Sequence, residues 1–175
     1  MPMFKIPALA LAFIAGMIGW AYAGDQYVDR TGFAVSGYDV VSYFDLPQSK
    51  LGQPQQPPLA GNAAITAVHN GATFAFATKA HRDRFLASPA AFVPRYDGHC
   101  AYGVAKGGKV PGNPTLWRIV DGKLYLNITR TVVGSWEKDI SGNLTKSEAN
   151  WRGLESAAAS GDRIPNFTSG APVAK

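Results

Sequence analysis

Apolar and polar positions alternate in two stretches of the chain, and each alternation is broken by a dipeptide that favours positive φ. Ala64-Ile65-Thr66-Ala67-Val68-His69 and Ala72-Thr73-Phe74-Ala75-Phe76 flank Asn70-Gly71. Leu116-Trp117-Arg118-Ile119-Val120 and Lys123-Leu124-Tyr125-Leu126 flank Asp121-Gly122. Asn-Gly and Asp-Gly supply the two positive φ angles of a type I′ turn at little strain, so the pattern predicts two tight β-hairpins. Thr78 is placed to cap a helix over 79–87 that stops before Pro89. Single helical turns are expected at 39–44 and 89–93, and longer helices at 129–136 and 145–154, which put Trp136 and Trp151 against the sheet. Two stretches read as irregular. Residues 46–62 hold Pro47, Pro54, Pro57, Pro58 and four glutamines, which bars a helix or a central strand. Residues 156–175 are small and polar with Pro165 and Pro172, a tail on the surface. No internal repeat is visible. The expected fold is α+β, a small single domain over 24–155 with two β-hairpins packed against short helices.

The first 23 residues follow a different pattern. Lys5 is followed by a charge-free run from Ile6 to Trp20, and Ala21-Tyr22-Ala23 has the small–x–small order read by signal peptidase. The run of 15 residues is shorter than the ~20 that span a bilayer. Residues 1–23 are therefore expected to be a signal peptide cleaved after Ala23, with a periplasmic or secreted product and no stable membrane insertion after cleavage. Beyond Ala23 stand 16 basic and 12 acidic residues, a net charge of +4. The basic residues are scattered, and the densest stretch, His81-Arg82-Asp83-Arg84, includes an acid. That pattern lacks the basic stripe of a nucleic-acid binder.

Cys100 is the only cysteine, so no disulfide framework exists and packing must hold the domain together. All three methionines (Met1, Met3, Met17) fall in the expected signal, which leaves none for a thioether copper site. The remaining soft donors are His69, His81, His99 and Cys100. His99-Cys100 follows Asp97-Gly98, an irregular loop that could turn imidazole and thiolate the same way, toward zinc or copper. His81, His99 and Cys100 are the candidate metal ligands. The competing reading of Cys100 is a small buried apolar residue; a reactive thiol needs a nearby cation, and Lys106 or Arg95 are the nearest in sequence. His81 precedes Phe85 by four residues on one helical stripe, and His69, beside its turn, reads as solvated. Gly107-Gly108 between Lys106 and Lys109 lacks the spacing of a phosphate loop. Asn127, Asn143 and Asn166 head glycosylation sequons in form. No nucleophile triad or paired-carboxylate motif appears, so no catalytic residue is assigned.

Gly37-Tyr38-Asp39-Val40-Val41-Ser42-Tyr43-Phe44 resembles the opening stretch of stand-alone YHS-domain proteins. The run from Thr73 to Thr78 and on through Phe85, Pro89 and Phe92 is similar to their strand–turn–helix core. Pro94, Tyr96, Gly98 and Cys100-Ala101-Tyr102 match a following element, residues 117–127 the closing hairpin, and Asn150-Trp151 the usual end. The resemblance covers residues 33–151. It implies a metal-binding ancestry, in which cysteines stand at the positions held here by Ser42, Ala77 and His81; Ala77 has no ligand atom, Ser42 is a poor ligand for soft metals, and His81 remains. The expected function is an exported YHS-like accessory or binding module, taking a metal ion or small ligand near the 96–102 loop. The alternatives are a thiol-dependent redox protein using Cys100 and an interaction module for a protein partner without bound metal.

Overall fold

In the computed structural model, which describes residues 24–175, both turn dipeptides are left-handed. Asn70 and Gly71 have φ of 48° and 72°, Asp121 and Gly122 of 47° and 69°. They close β1 (Asn62–His69) onto β2 (Ala72–Phe76), and β3 (Asn113–Val120) onto β4 (Lys123–Asn127), both antiparallel. The expected signal peptide lies outside the described residues. Among the described residues, no helix is long and apolar enough to cross a membrane.

The longer helices start where side chains can replace missing backbone partners. Thr78 Oγ1 accepts from the His81 amide at 3.1 Å to open α2 (Lys79–Ala87). Ser88 is extended ahead of Pro89, which separates α2 from α3 (Pro89–Phe92). Thr129 caps α5 (Arg130–Glu137) in the same way through the Val132 amide. Shorter turns form α1 (Ser42–Asp45) and α4 (Ala101–Ala105). The last helix, α6 (Ile140–Leu154), starts five residues before the expected 145. Asp139 caps it by accepting from the Gly142 amide at 2.8 Å, and Asn143 donates to the Trp136 carbonyl at 3.1 Å. These two bonds make helix of an Ile-Ser-Gly-Asn stretch whose propensity favours a turn.

Two apolar clusters result. The first gathers Phe74, Phe76 and Phe85 with Tyr43, Trp117, Leu124 and Leu126; the second gathers Tyr96, Tyr125, Trp136 and Trp151. The protein is therefore a small single α+β domain. The Pro/Gln-rich loop stays irregular but is tied to the second hairpin: Trp117 Nε1 donates to the Gln56 carbonyl at 2.8 Å, and the Ile119 amide to Gln48 Oε1 at 2.8 Å. The tail beyond 155 has no regular structure and is likewise pinned, with Ile164 buried and the Gly170 amide donating to Tyr38 Oη at 3.0 Å.

The backbone repeats itself, contrary to the reading of the sequence. Val35-Ser36-Gly37 has φ of 52°, 51° and 78°, and Tyr96-Asp97-Gly98 has 58°, 51° and 78°. After each left-handed triplet the same bonds recur. The Tyr38 amide donates to Val35 O and the His99 amide to Tyr96 O; Asp39 donates to Leu59 O and Cys100 to Val110 O. Gly61 donates to Gly37 O at 2.9 Å and Gly112 to Gly98 O at 3.0 Å. A bulged strand, an I′ turn, a return strand and a Thr-capped helix then follow in both halves. A Cβ on Gly61 would stand 2.7 Å from Gly37 O, and one on Gly112 2.6 Å from Gly98 O, so both positions are confined to glycine. In this correspondence Asp39 matches Cys100, His81 matches Val132, and Phe85 matches Trp136.

Candidate functional site

Asp39 follows the first left-handed triplet and is fully buried. Its carboxylate is saturated with donors: Oδ1 accepts from the Val41 amide at 2.9 Å and Oδ2 from the Ala77 amide at 2.8 Å. His81 Nδ1 lies 2.7 Å from the same Oδ2. Because both carboxylate oxygens act as acceptors, Nδ1 is the donor, and in the neutral ring Nε2 is the nitrogen that carries the lone pair. The His81 side chain keeps 17% exposure, so the ring is not sealed from solvent. Asp45 Oδ2 stands 3.5 Å from Nε2. Arg84 grips Asp45 with two bonds of 2.8 and 3.2 Å, and this hydrogen bonding holds the Asp45 carboxyl below its ordinary range.

Ser42 and Ala77 complete the surroundings of Asp39. Ser42 Oγ donates to Asp39 O at 2.7 Å and accepts from the Leu59 amide at 3.0 Å. The three positions singled out by the family resemblance, Ser42, Ala77 and His81, thus all bond to Asp39. Neither Asp39 nor Asp45 stood out in the sequence as a site residue. The signal available was an acid inside an otherwise apolar Tyr-Asp-Val-Val run, where an unpaired carboxylate is too costly to bury.

His99 is fully buried, and both its nitrogens are occupied. Nδ1 donates to Tyr96 O at 2.9 Å, and Nε2 accepts from the Ser160 amide at 3.1 Å. This ties the tail to the second left-handed triplet. Burial, the largest cause, pulls the imidazole down to about 4. Ligating a metal through either nitrogen would break one of these bonds.

Cys100 is also fully buried. Its Sγ accepts from the Gly103 amide at 3.3 Å, capping α4, and lies 3.5 Å from Asn127 Oδ1. Burial pushes the thiol up from its ordinary value. Neither nearby cation activates it: Arg95 pairs with Glu148, and Lys106 sits 5.0 Å over the Tyr102 ring. A thiol reagent should therefore label the folded protein slowly and the denatured protein fast, and Cys100→Ala should cost about 1 kcal/mol in urea denaturation. Fast labelling of the native protein would contradict the buried, protonated state.

The candidate ligands thus fall at two places. His81 sits in the first half on α2, while His99 and Cys100 follow the triplet of the second half, committed to internal bonds. Among the described residues, no three His, Cys, Asp or Glu side chains are grouped so as to hold a metal ion. His69, read from the sequence as solvated, is half-buried edge-on against Phe85, 5.8 Å between ring centres. Of the sequons, Asn127 and Asn143 are buried, which leaves neither free to carry a glycan in the folded protein. No protein-family model, curated protein or solved structure matches the chain.

Proposed function

We propose that this chain is an exported, YHS-like binding module whose site is the His81–Asp45 pair backed by Asp39, and that it takes a divalent ion such as zinc or copper(II). The observation that carries this reading is the Asp39–His81 bond. A buried carboxylate that fixes the ring through Nδ1 leaves Nε2 as a directed donor, the arrangement found behind metal-ligating histidines. Two donors on one tetrahedral ion, each at ~2.1 Å, stand about 3.4 Å apart. Nε2 and Asp45 Oδ2 are 3.5 Å apart. Arg84 competes for Asp45, and among the described residues only two protein donors are at hand. The site is accordingly weak and open, with water or a partner's groups filling the remaining positions, which suits passing an ion on rather than storing it. The convergence of Ser42, Ala77 and His81 on one residue, Ser42 at the Asp39 carbonyl and the other two at its carboxylate, supports the family resemblance. The thiol-dependent alternative has less support, since Cys100 is buried and its thiol is pushed up.

Titration of zinc into the apo protein is the test. Affinity should fall at least about tenfold in His81→Ala, which removes one of two donors, and in Asp45→Asn, which removes the carboxylate charge. Cys100→Ser should leave it unchanged. Equal affinity in wild type and His81→Ala would overturn the assignment, and loss in Cys100→Ser alone would move the site to the 96–102 loop.

A further inference from the structure

Gly24 is buried, and a Cβ built on it would stand 2.5 Å from Asp97 Oδ2 and in collision with the Glu155 carbonyl oxygen. Backbone geometry puts the nitrogen of a residue about 2.5 Å from its Cβ position. The Gly24 nitrogen therefore lies within about 5 Å of the Asp97 carboxylate. Asp97 Oδ2 is itself buried and has no hydrogen-bond partner among the described residues. Lys109, the cation that attracts Asp97 most, hydrogen-bonds through Nζ to the Glu155 and Ala157 carbonyls instead. A buried carboxylate oxygen without a donor is costly, and it sits at the centre of a strained left-handed triplet. The chain leading from Gly24 is clamped beside it, with the Tyr27 amide donating to Asp97 O at 2.8 Å.

We propose that Asp97 is the docking site for the chain's own α-ammonium group, created when the signal peptide is removed. The proposal rests on cleavage after Ala23 and is independent of metal binding at His81. Hydrolysis by a signal peptidase breaks the Ala23–Gly24 peptide bond. Water supplies the oxygen of the new Ala23 carboxylate and the hydrogens of the new Gly24 ammonium. An amide with one N–H becomes a cation with three donors, next to an acceptor that lacks one. Glycine supplies the room: the Glu155 carbonyl excludes any side chain, and the unrestricted glycine backbone lets the ammonium turn toward Oδ2. The bond would brace the Tyr96–Gly98 turn, which carries His99 and, through it, the tail.

Burial is the main reason that the Asp97 carboxyl stands at about 6. Lys109 and Arg95 attract it, while Glu155 and Asp25 repel it. Adding an ammonium shifts this balance toward the carboxylate. In the N-terminally blocked chain, the raised folded value makes Asp97 contribute stability that is complete below about 4 and lost as the pH rises through about 6. With the free amine that loss should shrink.

The test uses protein released from a fusion by a site-specific protease, so that it begins at Gly24 whatever happens in the cell. Free-amine and Gly24-acetylated forms are compared by urea denaturation at pH 7, in wild type and in Asp97→Asn. Acetylation should lower the folding equilibrium constant on the order of tenfold in wild type and less than about twofold in Asp97→Asn. Equal effects in both backgrounds would overturn the ion pair. If Asp97→Asn does not fold, a form retaining Ala23 serves instead. It keeps the positive charge but moves it one residue, about 3.8 Å, away, and should lose as much as acetylation does; full stability of that form would overturn the proposal. Intact mass of naturally exported material reads the cleavage separately. A start at Gly24 supports the link to processing, and any other start ends that link without altering the result of the cycle.

Discussion

Acidification from pH 6.5 to 4 should cost the folded protein about 3 kcal/mol through His99 alone, taking 1.36 kcal/mol for each unit between 6.5 and about 4. Burial lowers the folded value while the unfolded value stays near 6.5, so the unfolded chain takes up the proton first. The contribution is complete above 6.5 and lost progressively as the pH falls toward 4. The charged ring would also have to give up the Ser160 amide, because a protonated Nε2 cannot accept. His69, lowered by burial too, adds to the loss with the same sign. Asp97 works in the opposite direction, which is why the comparison needs a variant. Urea midpoints should fall across this range in wild type and much less steeply in His99→Gln. A His99 ring that titrates near 6.5 by NMR in the folded protein would contradict the buried neutral state.

Asp39→Ala should cost about 3 kcal/mol or more, the range for leaving several buried donors without their acceptor. Three donors lose their partner at once: the Val41 amide, the Ala77 amide and His81 Nδ1. The first holds the opening turn itself and the second joins that turn to the end of β2, so the loss reaches beyond the site. Asp39→Asn should fall in between, because the amide keeps one oxygen but turns an NH2 toward a donor. Urea denaturation of both variants measures this. In the His81→Ala background the cost of Asp39→Ala should shrink, since one of the three donors is already gone. A change below about 1 kcal/mol in Asp39→Ala would mean that water replaces the carboxylate.

These expectations also mark where the sequence could be read and where it could not. Both hairpins were legible because Asn70-Gly71 and Asp121-Gly122 each determine a turn locally. Thr78 and Thr129 likewise announce their helices. The first turn of α6 was not legible, because its residues favour a turn and only Asp139 and the Trp136 carbonyl, both outside it, hold it helical. The repeat stayed hidden for a related reason. The halves share little beyond positions the backbone dictates: Gly37 and Gly98, Gly61 and Gly112, Asn62 and Asn113, Gly71 and Gly122, Thr78 and Thr129. The ten extra residues of the Pro/Gln-rich loop shift the register between them, so the spacing is 61 before that loop and 51 after it.

The candidate site was half legible. His81 was identified, but its partners come from segments 42 and 36 residues away, Asp39 and Asp45. Adjacent soft donors made His99-Cys100 look the sharper feature. Burial decided otherwise, and burial is a property of the whole fold. The repeat makes the contrast concrete: the same backbone position holds Asp39 bonded to a partly exposed histidine in one half, and Cys100 beside Asn127 in the other, where Val132 takes the place of the histidine in the repeat.

The most direct test is the nitrogen NMR signature of His81 as zinc is added. Nδ1 should keep its proton and its bond to Asp39 throughout, while Nε2 shifts to the range of a metal-bound nitrogen and the His99 resonances stay in place. A shift at His99 with His81 unchanged, or no shift at any histidine at millimolar zinc, would contradict the assignment.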